Sequence, residues 1–253
     1  FYTAKPRSTI WWKWILYSEA KKEADLKNWI KKTRKLAIKL IEEYDMNLAD
    51  EMLYPELSSR LWDLYSYIEI WARTSENQYH REVASWLNFP VWIKNPTSWD
   101  TEIMTNWVLA SQNPTNYIME RVIYKTNWNY FSHWILRWWN LWYNYNIENI
   151  EKTYKYFIKS KIKNPSIIID CNHDNSGKNP DKQIEIIKEV VKNVDKNYIL
   201  KNFVKWFMVE SYLYDWKQDL NNPDIKKGLS LTDPCIWKEK TEELIDEFYK
   251  YIK

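Results

Sequence analysis

Short apolar runs alternate along this chain with longer stretches in which apolar positions recur every three or four residues. That is the pattern of strands and amphipathic helices taken in turn. The runs predict strands at Ile68–Ala72, Val91–Lys94, Ile118–Tyr124, His133–Arg137, Ser166–Asp170 and Phe207–Val209, with a weaker one at Ala49–Leu53. Helices are expected at Leu26–Tyr44, Pro55–Tyr67, Glu76–Leu87, Asp100–Ser111, Ile147–Lys161, Pro180–Val194 and Thr241–Ile252. The Pro- and Asn-rich pieces between them are loop-sized, and no linker or low-complexity tract interrupts the series. One domain over residues 1–253, built from repeated βα units, is therefore expected.

The strand ends share a regularity. Glu51, Arg73, Lys94, Arg137, His173 and Glu210 each stand at or just past a strand's carboxyl end. Singly, each is most simply a solvated charge. Together they suit a (β/α)8 barrel, where strand ends converge on one face and catalytic groups come from several strands. Three cations, two carboxylates and an imidazole suit an anionic substrate beside a divalent metal.

Composition changes this picture in one respect. The 253 residues are 45% hydrophobic and 28% charged, with 37 basic and 34 acidic side chains and a net charge of +3, which calls for no nucleic-acid or membrane partner. No apolar run approaches the roughly 18–20 residues that span a bilayer. The chain starts at Phe1 without an initiator Met or a signal-peptide pattern, so it reads as the inside of a longer protein. Two cysteines, Cys171 and Cys235, make no disulfide framework and fit a reducing, cytoplasmic setting. The abnormality is 18 Trp against 2 Gly, where glycine would ordinarily supply roughly 18. Many tryptophans stand where glycine makes physical sense, such as Trp138-Trp139 straight after a strand. The expectation is that UGA codons meaning glycine are written here as tryptophan.

The chemistry-bearing motifs come in order: KPRST at Lys5–Thr9, ARTSENQ-x-HRE from Ala72 to Glu82, PVWIKN at Pro90–Asn95, ILRWW at Ile135–Trp139, IDCNHDNSGK at Ile169–Lys178, MVES at Met208–Ser211 and TDPCI at Thr232–Ile236. In this order, from residue 1 to about 240, they resemble the class I (microbial type) 3-deoxy-7-phosphoheptulonate, or DAHP, synthases. Family glycines fall on Trp71, Trp86, Trp92, Trp138, Trp139, Trp206 and Trp237, and on Trp11 and Trp14 beside a true Trp12.

The resemblance implies a (β/α)8 barrel lacking strand 1 and most of strand 2. It implies a transferase that joins phosphoenolpyruvate to erythrose 4-phosphate at the first step of the shikimate pathway, towards aromatic amino acids. One divalent metal ion (Mn, Fe, Co or Zn) is implied on His173, Glu210 and Asp233, with the family's cysteine ligand upstream of Phe1; Cys171 and Cys235 read as core. Arg73, Lys94 and Arg137, with Ala72, match the phosphoenolpyruvate cradle. Lys5 matches a lysine between the substrates, and Pro6, Arg7 and Ser8 match the erythrose 4-phosphate loop. Glu51 matches a carboxylate near the attacking water. Lys5, Glu51 and His173 are the expected catalytic residues, while His80 and His133 read as structural. Asn172 stands where the family usually has Ser. A cytoplasmic homo-oligomer, dimer or tetramer, is implied.

Two rivals compete. The 3-deoxy-octulosonate 8-phosphate synthases share barrel, metal and phosphoenolpyruvate, but KPRST argues against them. A non-catalytic, Trp-lined carbohydrate or RNA binder would show exposed, coplanar indoles. As literally written, with indoles where backbone must turn, the chain is expected to be inactive and poorly folded.

Overall fold

The structure, a computed structural model, describes residues 26–71, 74–95, 101–119, 121–137, 143–219 and 221–252. Two compact units emerge: Phe1–Trp134 with Ser160–Asn164, and Ile135–Lys159 with Pro165–Lys253.

The first unit opens with α1 (Leu26–Tyr44). Trp29, Thr33 and Ala37, one helical turn apart, form its buried stripe. The helix ends where Asp45 takes a left-handed φ of 51°, and the Met46 N–H reaches back to the Leu40 carbonyl at 3.3 Å, a Schellman closure. Then come β1 (Ala49–Glu51), α2 (Ser58–Leu61), β2 (Tyr67–Ile70), α3 (Gln78–Trp86), β3 (Val91–Lys94), α4 (Thr101–Ser111), β4 (Asn116–Met119), β5 (Val122–Lys125) and β6 (Ser132–Leu136), the last straddling the two units. The β1–β2 and β2–β3 ladders are parallel, with Glu51 opposite Glu69 and Ile70 opposite Ile93. Strands in such sheets are covered on both faces, hence the continuous burial of Ile68, Glu69 and Ile70.

Two local expectations fail here. Ile118–Tyr124 is not one strand but the antiparallel hairpin β4–β5, pairing Ile118 with Ile123. The chain reverses at Arg121, whose φ is 67°; apolar residues flanking a polar pair hid the turn. The stretch from Pro55 to Tyr67 is not a continuous helix. It breaks into Pro55–Leu57 and Trp62–Leu64, both 3₁₀, around the single α turn of α2, and Tyr65 is already extended.

The second unit holds α5 (Ile147–Lys159), β7 (Ile167–Asp170), α6 (Lys182–Val194), α7 (Tyr198–Phe203), β8 (Val204–Met208), β9 (Ser211–Tyr212), β10 (Ile236–Trp237) and α8 (Lys238–Ile252). Strands β7 and β8 pair in parallel, with Asp170 opposite Met208. Ile186, Ile187 and Val190 of α6 are buried, as are Ile150 and Phe157 of α5. The Phe157 ring meets Phe203 edge-on at 5.4 Å. The unanticipated α7 begins at Asn197, whose side chain accepts from the Ile199 and Leu200 N–H groups. Parallel ladders with helices between strands make this an α/β protein. Among the described residues, no helix is long and apolar enough to cross a membrane.

The tryptophans divide by environment. Trp29, Trp107 and Trp134 are fully buried, and the Trp134 indole donates to the Met104 carbonyl at 3.0 Å. Trp92 stacks on Tyr67 with centroids 3.8 Å apart. Trp206 is 63% exposed. The described tryptophans with left-handed backbone are two others, Trp128 (φ 152°) and Trp216 (φ 69°). At Trp216 both main-chain groups bond Cys235, so the conformation is held. A side chain in that region costs about 1–2 kcal/mol, and glycine does not bear the cost. Trp216→Gly is therefore expected to leave the urea-unfolding free energy unchanged or raise it by up to ~1 kcal/mol. Trp29→Gly, emptying a core site, should lower it by about 3–5 kcal/mol.

His133 on β6 is a second probe. Burial pushes its imidazole down to about 4, and burial also lowers His80, whose Nε2 lies 2.9 Å from the Met52 carbonyl. A depressed imidazole takes up its proton on unfolding. Its contribution is thus intact above the unfolded value near 6.5 and is lost as pH falls from there towards 4. His133→Phe is expected to remove about 2 kcal/mol of the stability difference between pH 7 and pH 5, read from paired urea titrations.

Candidate active site

Glu51 is the last residue of β1 and Lys94 the last of β3; Arg137 follows β6 directly, His173 lies three residues past β7, and Glu210 two past β8. Lys5, Pro6, Arg7, Ser8, Ala72 and Arg73 lie outside the described residues.

In the first unit, the Lys94 ammonium and the Glu69 carboxylate form an ion pair at 2.6 Å, both side chains 3% exposed. The ammonium also lies 4.9 Å from the centre of the Trp71 ring. Glu69 was not anticipated: inside a strand pattern it reads as a face-switching polar residue. Glu51 is buried as well.

The second unit gathers a donor set. One ligand atom from each of His173, Glu210 and Asp233 lies within 4.8 Å of the others. His173 Nε2 is 3.1 Å from Glu210 Oε1 and 3.8 Å from Asp233 Oδ2. Three donors about 2.0–2.2 Å from one ion sit roughly this far apart. His173 is buried, with the two carboxylates half-buried. These imidazole and carboxylate donors fit a divalent ion of the Mn, Fe, Co or Zn type.

The chain reaches this arrangement through an unusual loop. His173 itself has a φ of 50°, held by a 2.8 Å bond from the Lys178 N–H to its carbonyl. Gly177 and Lys178 follow in the same left-handed region. Asn175 stitches the loop down: its amide donates to the Asp170 carbonyl at 2.8 Å and the Leu136 carbonyl at 3.2 Å. The Ile236 N–H donates to the Glu210 carbonyl at 3.0 Å, joining the β8 and β10 segments. Cys171 and Cys235 are buried free thiols. Burial and Asp170 push Cys171 well up; burial, then Glu210, lifts Cys235 to about 11.

An α/β enzyme with ionic groups at its strand ends and on the loops beyond them, and with three donors spaced for one cation, is the class these features define. The sequence profile of the DAHP synthetase I family matches residues 1–246. The chain belongs to that family. It is 30% identical over 257 aligned residues to the Tyr-sensitive phospho-2-dehydro-3-deoxyheptonate aldolase of Salmonella typhimurium, covering 98% of this chain and 70% of that one. It is 29% identical to the phenylalanine-inhibited enzyme of Saccharomyces cerevisiae over 97% of this chain and 68% of that one. Among solved structures it is similar to the phospho-2-dehydro-3-deoxyheptonate aldolase of Francisella tularensis, with a TM-score of 0.86, 28% identity, and coverage of 97% of this chain and 72% of that one.

The buried pair gives a test of its own. Glu69→Ala leaves the Lys94 charge inside without this carboxylate and is expected to cost about 3–5 kcal/mol in chemical denaturation. The double replacement Glu69→Leu with Lys94→Met, which removes both charges, should recover most of that loss.

Proposed function

We propose that the chain condenses phosphoenolpyruvate with erythrose 4-phosphate and water. The products are 3-deoxy-D-arabino-heptulosonate 7-phosphate and phosphate, the first step of the shikimate pathway. The convergence of His173, Glu210 and Asp233 on one spot, in a chain that matches this family over residues 1–246, carries the reading. A divalent ion on these donors would polarise the acceptor's aldehyde oxygen as a Lewis acid. Which ion it is depends on availability more than on this donor set.

The other roles rest on chemistry and family likeness. Arg73 and Arg137 present planar forks suited to phosphate and carboxylate, and Lys94 adds a point charge. Ala72 belongs to the same phosphoenolpyruvate cradle. Lys5 serves both substrates, and Pro6, Arg7 and Ser8 hold the phosphate of the four-carbon sugar. Glu51 takes the proton of the water that adds at C2 while C3 bonds to the aldehyde carbon. The hemiketal phosphate so formed expels inorganic phosphate by C–O cleavage. Positioning two multiply charged substrates supplies most of the acceleration on this account. A (β/α)8 barrel and a cytoplasmic homo-oligomer belong to the same proposal; the structural likeness supports the barrel.

The test is phosphate release from phosphoenolpyruvate in the gene product, once with tryptophan and once with glycine at Trp71, Trp86, Trp92, Trp138, Trp139, Trp206 and Trp237. Heptulosonate formation is expected in the glycine form, dependent on erythrose 4-phosphate, abolished by chelator and reduced at least ~100-fold in Glu51→Gln, the scale of a lost general base. Turnover with arabinose 5-phosphate in place of erythrose 4-phosphate would overturn the assignment. Full activity of the tryptophan form would overturn the glycine reading.

A further inference from the structure

Each of the three donors, or the segment that carries it, is gripped by a different buried side chain. His173 Nδ1 lies 3.1 Å from Asp170 Oδ1 and 2.9 Å from Oδ2, and Asp170 is 0% exposed. With Nδ1–H donating to that carboxylate, the lone pair is on Nε2, the nitrogen facing Glu210 and Asp233. The Gln183 side chain, also 0% exposed, clamps the Glu210 backbone from both sides. Its Nε2 donates to the Glu210 carbonyl at 3.2 Å, and its Oε1 accepts from the Glu210 N–H at 2.8 Å. The Asn172 side chain, likewise fully buried, donates to the Pro234 carbonyl at 3.1 Å. It thereby ties the Asp233 segment to the His173 loop, while its oxygen accepts from Ser176 Oγ at 3.3 Å.

We propose that Asp170, Gln183 and Asn172 are positioning residues that together preset the His173–Glu210–Asp233 donor set before a cation arrives. The inference rests on reading those three as the metal ligands. Its physical basis is entropic and electrostatic. Three donors from three separate segments must otherwise be ordered by the ion itself, which subtracts from affinity. Asp170 also raises the basicity of the ligating nitrogen, as carboxylates behind metal-bound histidines do. Gln183 is the most telling member. A helix residue inside the hydrophobic stripe of α6, beside Ile186 and Ile187, would ordinarily be apolar. Here it bonds both main-chain groups of Glu210, whose carbonyl also accepts from the Ile236 N–H.

The experiment titrates Mn(II), and Co(II) for its visible spectrum, into the purified chain and its variants, with circular dichroism and thermal unfolding of the metal-free forms as the folding control. His173→Ala should abolish binding. Asp170→Asn, Gln183→Met and Asn172→Ala should each weaken it about 10–100-fold and shift the Co(II) bands. Asp170→Asn keeps an oxygen facing Nδ1 and should bind more tightly than Asp170→Ala. If the positioning variants are folded and bind within twofold of the parent while His173→Ala does not bind, the positioning role is wrong and the ligand assignment stands. If the parent shows no His173-dependent binding, the ligand assignment itself fails and takes the inference with it. A variant that unfolds is replaced by one of similar size, Asp170→Glu, Gln183→Glu or Asn172→Asp, the last two lacking the donating amide. For these, parental affinity and parental Co(II) bands overturn the role, and a loss of either supports it.

Discussion

A buried imidazole can present a lone pair in one direction only if its other nitrogen has somewhere to put a proton. In this chain Asp170 is the group that faces that nitrogen, its two carboxylate oxygens 2.9 and 3.1 Å from His173 Nδ1. The carboxylate sits at the end of β7, inside a strand whose other residues are isoleucine. Its Oδ1 accepts from the Asn172 N–H at 3.0 Å as well as facing His173. Because Asp170 is buried, its hydrogen bonds form in a low-dielectric interior, where they are stronger than in water. The left-handed turn at His173 answers the same demand. Only a sharp reversal three residues after Asp170 brings the ring back over the carboxylate that anchors it.

The burial gradient across the donor set has a chemical consequence. The supporting side chains are fully inside and the imidazole nearly so, while Glu210 and Asp233 are about a third exposed at their side chains. Rigid groups therefore lie behind the donors and solvated ones in front. Such a site would leave the solvent-facing side of a bound cation open to a further ligand.

The legibility of this arrangement in the sequence was uneven, for identifiable reasons. The strand Val91–Lys94 could be delimited because its apolar run is bounded by Pro90 and Asn95. His173 and Glu210 could be singled out because they follow strand ends, whereas Asp233 was reached only through the family resemblance of its motif. The hairpin at residues 116–125 was invisible because Ile118 and Ile123 look like one run, although they face each other across a turn. Gln183 and Glu69 were hidden more deeply. Each occupies an element where periodicity marks the position as interior, and nothing in a one-dimensional pattern reveals a polar partner elsewhere in the chain. Periodicity locates buried positions; it does not say which of them carry a hydrogen bond.

The two interior polar sets answer the same problem differently, and the comparison bears on what each can do. At Lys94 and Glu69 the charges oppose each other at 2.6 Å, so much of the field of the ammonium is spent locally. Desolvation and attraction roughly cancel in such pairs, and the net stability gained is small. At His173 the facing carboxylates, Asp170 behind and Glu210 and Asp233 in front, share one sign around a single imidazole. A divalent ion on the donors would offset that charge, relieve repulsion between Glu210 and Asp233, and leave Asp170 to neutralise what the ring donates. On the proposed reading an ion would relieve that crowding of like charge, and the buried side chains of Asp170, Gln183 and Asn172 would keep the donors close together without one.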